Sequence, residues 1–213
     1  MNLTKLFETQ RILDARIMEK HPELVGQNNL DWKVLALQVE LGECANEWRG
    51  FKKWSNDQEA RTKVYVLKEK YKHCHITQTG AYEYQLRDEF GKVVEEDVTD
   101  HHHDIKNPLL EEYVDCLHFI LSIGLEIGAS EENFTVPAIA RESITKQFLV
   151  VIDSITTLYH LLDYNMKSPF DTYRVLFMQF VNLGGMLGFT WEQIEQAYYD
   201  KNAINHTRQD TGY

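Results

Sequence analysis

Apolar residues recur at helical spacing over most of the chain. Leu3, Leu6, Phe7, Leu13 and Ile17 predict a first helix from Leu3 to His21, which the run Gly26-Gln27-Asn28-Asn29 interrupts. A second helix is expected from Asp31, a residue suited to the N-cap, to Trp48, with Gly50 marking its end. Pro108 suits the first turn of a third helix that continues to Gly128, and a fourth is expected from Ala138 to Leu162. Ser168-Pro169 reads as a cap and first-turn proline opening a fifth helix that closes at Gly188. Thr190-Trp191-Glu192-Gln193 is a capping box for a sixth.

The period changes between the second and third helices. Short alternating runs (VYV, HITQT, YEYQL) and the turn-like EFGKVV indicate strands between Thr62 and Ile105. The expected architecture is all-α: a helical bundle formed by residues 1–61 and 106–213, interrupted by a small β-rich insertion at 62–105.

Acidic residues stand out against this pattern. The second helix, WKVLALQVELGECANEW, is apolar around most of its circumference and is expected to be buried, so its acids are costly. Glu40, Glu43 and Glu47 follow at i, i+3, i+7 and share a face, where like charges repel unless a cation lies between them. Glu112 and Asp115 repeat the arrangement one turn apart on the third helix. Oxygen-only ligands favour Mg²⁺, with Mn²⁺ as the alternative, over zinc, and Mg²⁺ commonly completes its shell with water and substrate phosphates. The alternative, acids in ion pairs or on a solvated face, has most force for Glu47 and Glu111. A di-iron bundle would need Glu-x-x-His on two helices, whereas the nearest match is the single Asp115-x-x-His118, so His118 is expected in the core or behind the acids.

The formal net charge of -11 opposes binding to a nucleic-acid backbone. Three scattered cysteines, Cys44, Cys74 and Cys116, suit reduced thiols in the cytosol. No apolar run reaches the roughly 18 residues of a membrane span, and the N-terminal segment lacks the apolar stretch of a signal peptide. Positive charge gathers at the end of the chain, where Lys201, Asn202, Asn205, Arg208 and Gln209 cluster on one side of a helix expected to fray into a tail. Lys and Arg can grip phosphate oxygens, although cations near a helix C-terminus also favour its dipole. Lys52 and Lys53 add charge after the second helix, and Trp54 could stack on a base or simply pack.

Glu40-Leu41-Gly42-Glu43, the following RGFKKW, Glu112-Tyr113-Val114-Asp115 and the terminal KNAINHTRQDTGY together resemble the dimeric all-α dUTPase family, the phage and bacterial branch of the all-α NTP pyrophosphatases. The resemblance implies a homodimer that converts dUTP, and dUDP, to dUMP with Mg²⁺, limiting uracil in DNA. It implies metal binding by Glu40, Glu43, Glu112 and Asp115, with Glu43 also the general base that orients water. Lys201, Arg208 and Tyr213 match phosphate-contacting positions, and Asn202 or Asn205 would read uracil. Gln10 fits a base-reading glutamine near the N-terminus, while Asp14 stands where the family carries asparagine. The rival functions are a related dNTP pyrophosphatase of different base choice, acting on dCTP or as a general house-cleaning enzyme, and a regulatory repressor-binding module that keeps a nucleotide pocket. The resemblance also allows a protein partner such as a repressor, through the insertion or the active-site face, in the host cytoplasm if the chain is phage-encoded.

Overall fold

Helix α3 (Pro108–Glu126) carries the apolar run of the third predicted helix and is buried along most of its length, from Leu109 and Tyr113 to Ile123 and Gly124. The structure, a computed structural model, describes residues 2–81, 83–129, 140–164 and 169–212. The chain divides into two compact units, Met1–Ala60 with Leu109–Tyr213, and Arg61–Pro108.

The larger unit is helical: α1 (Leu3–Lys20), α2 (Leu30–Trp48), α3, α4 (Ile144–Asp163), α5 (Pro169–Met186) and α6 (Trp191–Thr211). Two glycines set the approach of α3 to α5. A Cβ on Gly124 would lie 2.2 Å from the Tyr173 hydroxyl, and one on Gly184 would lie 2.5 Å from that of Tyr113. The absent methyls let Tyr173 donate to the Ile120 carbonyl and Tyr113 to that of Phe180, each at 3.0 Å. These buried hydroxyls are thereby satisfied rather than stranded. Tyr113 also stacks on Phe180 at 4.3 Å between ring centroids.

Five expectations change. Helix α2 begins at Leu30 after Asn29, so Asp31 stands in its first turn rather than at the N-cap. Helix α4 begins at Ile144, because Ser143 caps it by accepting from the Lys146 backbone N–H; Ala138 lies outside the described residues, as does Ser168. Helix α2 ends on Arg49 in the left-handed conformation (φ 62°), held by an ion pair with Asp57 at 2.8 Å, while Gly50 is small because the Trp48 ring packs on it. Helix α2 is also not wrapped on all sides: Val34, Leu37, Leu41 and Cys44 form its buried stripe, and Leu35 and Val39 are exposed. Helix α6 does not fray but stays helical to Thr211, where Gly212 (φ 76°) supplies the left-handed cap.

The smaller unit contains two antiparallel sheets. Strand β1 (Val64–Leu67) pairs with β5 (His103–Lys106), with Val64 opposite Lys106; β2 (His75–Gln78), β3 (Tyr84–Arg87) and β4 (Val93–Glu95) form the other. Its buried residues include Leu86 and Tyr71, whose hydroxyl donates to Glu95 at 3.0 Å. His102 accepts the Thr99 backbone N–H through Nδ1, so this histidine closes a local turn. The all-α bundle with a small β part thus follows the pattern of polar and apolar positions. Among the described residues, no helix is long and apolar enough to cross a membrane.

Candidate active site

The carboxylates of α2 and α3 converge. Carboxylate oxygens of Glu40, Glu112 and Asp115 lie within 4.8 Å of one another. Glu43, one turn beyond Glu40, is exposed and is not part of this triad, but its charge reaches both Glu40 and Glu112. Burial, then the charges of Asp115, Glu40 and Glu43, push the Glu112 carboxyl up to about 7. Burial raises Glu40 as well, with Asp115 and Glu43 adding to the effect. Asp115 is raised by burial and drawn back by Lys201, whose Nζ donates to Oδ2 at 2.5 Å, and by the charge of Arg208.

This donor set fits a hard divalent cation. Three partly buried carboxylates, two of which, Glu40 and Glu112, are made harder to ionise by burial and by the charge of Asp115, gain most from a positive ion at their centre, and their ligand atoms are all oxygen. Lys201 is the internal cation that offsets part of the repulsion.

A cavity of about 290 Å³ adjoins the cluster and is lined by Glu40 and Asp115 together with Gln10, Asp14, Lys33 and Ser122. Its apolar wall includes Leu13, Ile17 and Phe119, and Asn205 and Arg208 reach it from α6. Asp14 Oδ1 accepts from Gln10 Nε2 at 2.7 Å and Oδ2 from Ser122 Oγ at 2.8 Å. Burial raises Asp14, against these two hydrogen bonds and the charge of Lys33. Gln10 Oε1 accepts from the Tyr198 hydroxyl at 2.8 Å and lies 2.9 Å from His118 Nδ1. His118, stacked on Tyr198 at 4.2 Å and buried, is pushed down to about 3 by desolvation, so its ring is neutral at ordinary pH. It belongs to the buried wall of the cavity, one turn beyond Asp115 on α3.

The remaining predicted positions separate. Asn205 lines the cavity, whereas Asn202 is buried away from it with an Nδ2 that has no hydrogen-bond partner among the described residues. Lys53 and Trp54 lie in the exposed segment after α2, with Trp54 edge-on to Phe51, and do not line the cavity of the single chain. Tyr213 lies outside the described residues.

Two lining residues escape motif reading. Lys33 is 2% exposed and donates to Glu126 Oε2 at 2.6 Å. The signal for it is positional: counted in steps of four and three, Lys33, Leu37, Glu40 and Cys44 share one face of α2. Ser122 lies seven residues beyond Asp115 on α3, two turns along the same face.

The family model described as dUTPase matches residues 2–105 and 98–213 of the chain. No individual curated protein matches it. The two stretches together take in both carboxylate helices, the cavity and the basic end of α6, and the chain belongs to the all-α dUTPase family, hydrolases that act on dUTP.

Proposed function

We propose that the chain is a Mg²⁺-dependent dUTP pyrophosphatase that releases dUMP and pyrophosphate and also accepts dUDP. The observation that carries this reading is the shared lining of one cavity by Glu40 and Asp115 of the acidic cluster and by the hydrogen-bonding group around Gln10. Glu40, Glu43, Glu112 and Asp115 would hold the metal, which supplies charge neutralisation at the phosphates and polarises the phosphoryl oxygens. Mn²⁺ meets the same oxygen donors.

Glu43 is the proposed general base. Its exposure lets a water molecule stand against its carboxylate; as the water oxygen attacks phosphorus, its proton passes to Glu43. The P–O bond to the pyrophosphate leaving group then breaks. Arg208 and Lys201 face the developing negative charge, and Asn205 is the asparagine placed to meet the base. Lys53, Trp54, Asn202 and Tyr213 would complete the substrate contacts in a homodimer. The exposed apolar residues Leu35 and Val39 of α2, and Leu149 and Ile152 of α4, support such an assembly. Free cysteines, two of them buried, support work in a reducing cytosol.

The test is product analysis by anion-exchange chromatography of dUTP incubated with the protein and Mg²⁺. Equal amounts of dUMP and pyrophosphate are expected, and Glu43→Gln should lower the rate by about 10²-fold or more. Accumulation of dUDP with orthophosphate would contradict the pyrophosphatase reading.

A further inference from the structure

The ends of α1 and α6 meet at a surface groove of about 280 Å³, lined by Lys20 and His21 from α1 and by Arg208, Gln209, Asp210 and Gly212 from α6. Cations at a helix C-terminus ordinarily answer its dipole. Here backbone groups already meet part of that demand. The His21 N–H donates to the Ile17 carbonyl at 2.8 Å, and the Gly212 N–H to that of Arg208. Asp210, the carboxylate in the groove lining, is ion-paired with Arg16. His21 turns Nδ1 toward Glu23 at 3.3 Å. Lys20 is exposed and meets Asp210 as a nearby charge. With Asp210 committed to Arg16, the groove presents Lys20 and Arg208 as its unbalanced charges, and both are positive.

Arg208 connects this groove to the candidate active site. It lines the substrate cavity as well as the groove, and its charge reaches Asp115 of the acidic cluster. Pockets that bury a small ligand usually hold about 300–1,000 Å³. The cavity alone, at about 290 Å³, lies at the lower end of that range and must already take a base and a sugar. We propose that the groove receives the terminal phosphate of the nucleoside triphosphate, with Lys20 as a phosphate-binding residue across from Arg208. When the bond to the pyrophosphate leaving group breaks, the electron pair stays with that group, and two cations then face the added negative charge.

This inference rests on the dUTPase reading of the cavity, and two measurements keep them separable. In the first, kcat/KM is determined with Mg²⁺ for dUTP and for dUDP, which lacks the terminal phosphate, in the wild type, in Lys20→Gln and in Lys146→Gln. Lys20→Gln should lower the value for dUTP about fivefold or more and leave that for dUDP within about twofold. Lys146, on α4 and paired with Glu142, reports the effect of losing a positive charge elsewhere, and its variant should keep both values within about twofold. An unchanged dUTP value in Lys20→Gln, an equal fall on both substrates, or the same loss in Lys146→Gln overturns the proposal. The second measurement needs no turnover: inorganic pyrophosphate and dUMP are each titrated into the wild type and Lys20→Gln by calorimetry with Mg²⁺. Pyrophosphate should bind the variant about fivefold more weakly while dUMP binds both alike. Equal pyrophosphate affinity, or a matching loss for dUMP, overturns the proposal. Absence of dUTP hydrolysis alongside Lys20-dependent binding of pyrophosphate would instead overturn the enzymatic reading and leave the phosphate site standing.

Discussion

Replacing Glu112 by glutamine removes one charge from the carboxylate cluster while keeping the side chain's shape. In the metal-free protein this should stabilise the fold at alkaline pH. Glu112 is raised from an ordinary 4.5 to about 7 by burial and by Asp115, Glu40 and Glu43. At face value that is about 3 kcal/mol of unfavourable ionisation, and solvent screening of a half-exposed carboxylate reduces it to about 1 kcal/mol. A folded-state value above the unfolded one means that the folded protein binds the extra proton. The penalty is absent below pH 4.5, grows as the pH rises, and is complete above about 7. Calorimetry in EDTA at pH 8 should therefore show Glu112→Gln melting about 2–4 °C above the wild type, with the gain largely gone at pH 5. Adding Mg²⁺ should reverse the order, because only the wild type keeps the full ligand set. A variant that melts no higher than the wild type at pH 8, or by the same margin at both pH values, would refute the view that these acids repel one another in the folded chain.

Other consequences follow from packing and charge. Gly124→Ala should cost about 1–3 kcal/mol, because the methyl meets the Tyr173 hydroxyl, and Tyr173→Phe should relieve part of that cost in the double variant, read by urea denaturation. Leu37→Ala empties a fully buried site on the inner stripe of α2 and should lose about 2–5 kcal/mol in the same assay. Lys201→Met removes the cation paired with Asp115, so the carboxyls should ionise at higher pH and the acidic limb of the kcat/KM profile should move upward.

The elements that the sequence discloses are those where local and tertiary demands agree. The capping box at Thr190 forms because both of its hydrogen bonds are local, and α3 reads as buried because, apart from its acidic face, its residues are mostly apolar. Misplaced features depend on side-chain partners that the helical repeat does not disclose. Gly50 looks like a helix terminator, yet its smallness serves the Trp48 ring, and Arg49 takes the left-handed position with Asp57 to hold it. Helical spacing foresees that Glu40, Glu112 and Asp115 could share a site, because each pair repeats on one face. It cannot show that Glu43 stands outside their immediate triad, since that depends on how α2 is rotated against α3. Lys33 is invisible to motif reading because a lone lysine beside an apolar run ordinarily lies in solvent; only the fold brings Glu126 to it. Asp14 departs from the asparagine that the resemblance leads one to expect, and its partners Gln10 and Ser122 become apparent only when α1 and α3 are seen together.

The central claim is that the acidic cluster and the cavity beside it form one metal-dependent site for dUTP. It is tested most directly by pyrophosphate release from each of dUTP, dCTP, dTTP and dATP, measured with Mg²⁺ and again with excess EDTA. The account predicts rapid release from dUTP with Mg²⁺, much slower release from the others, and none in EDTA; equal rates on all four nucleotides, or activity that survives EDTA, would contradict it.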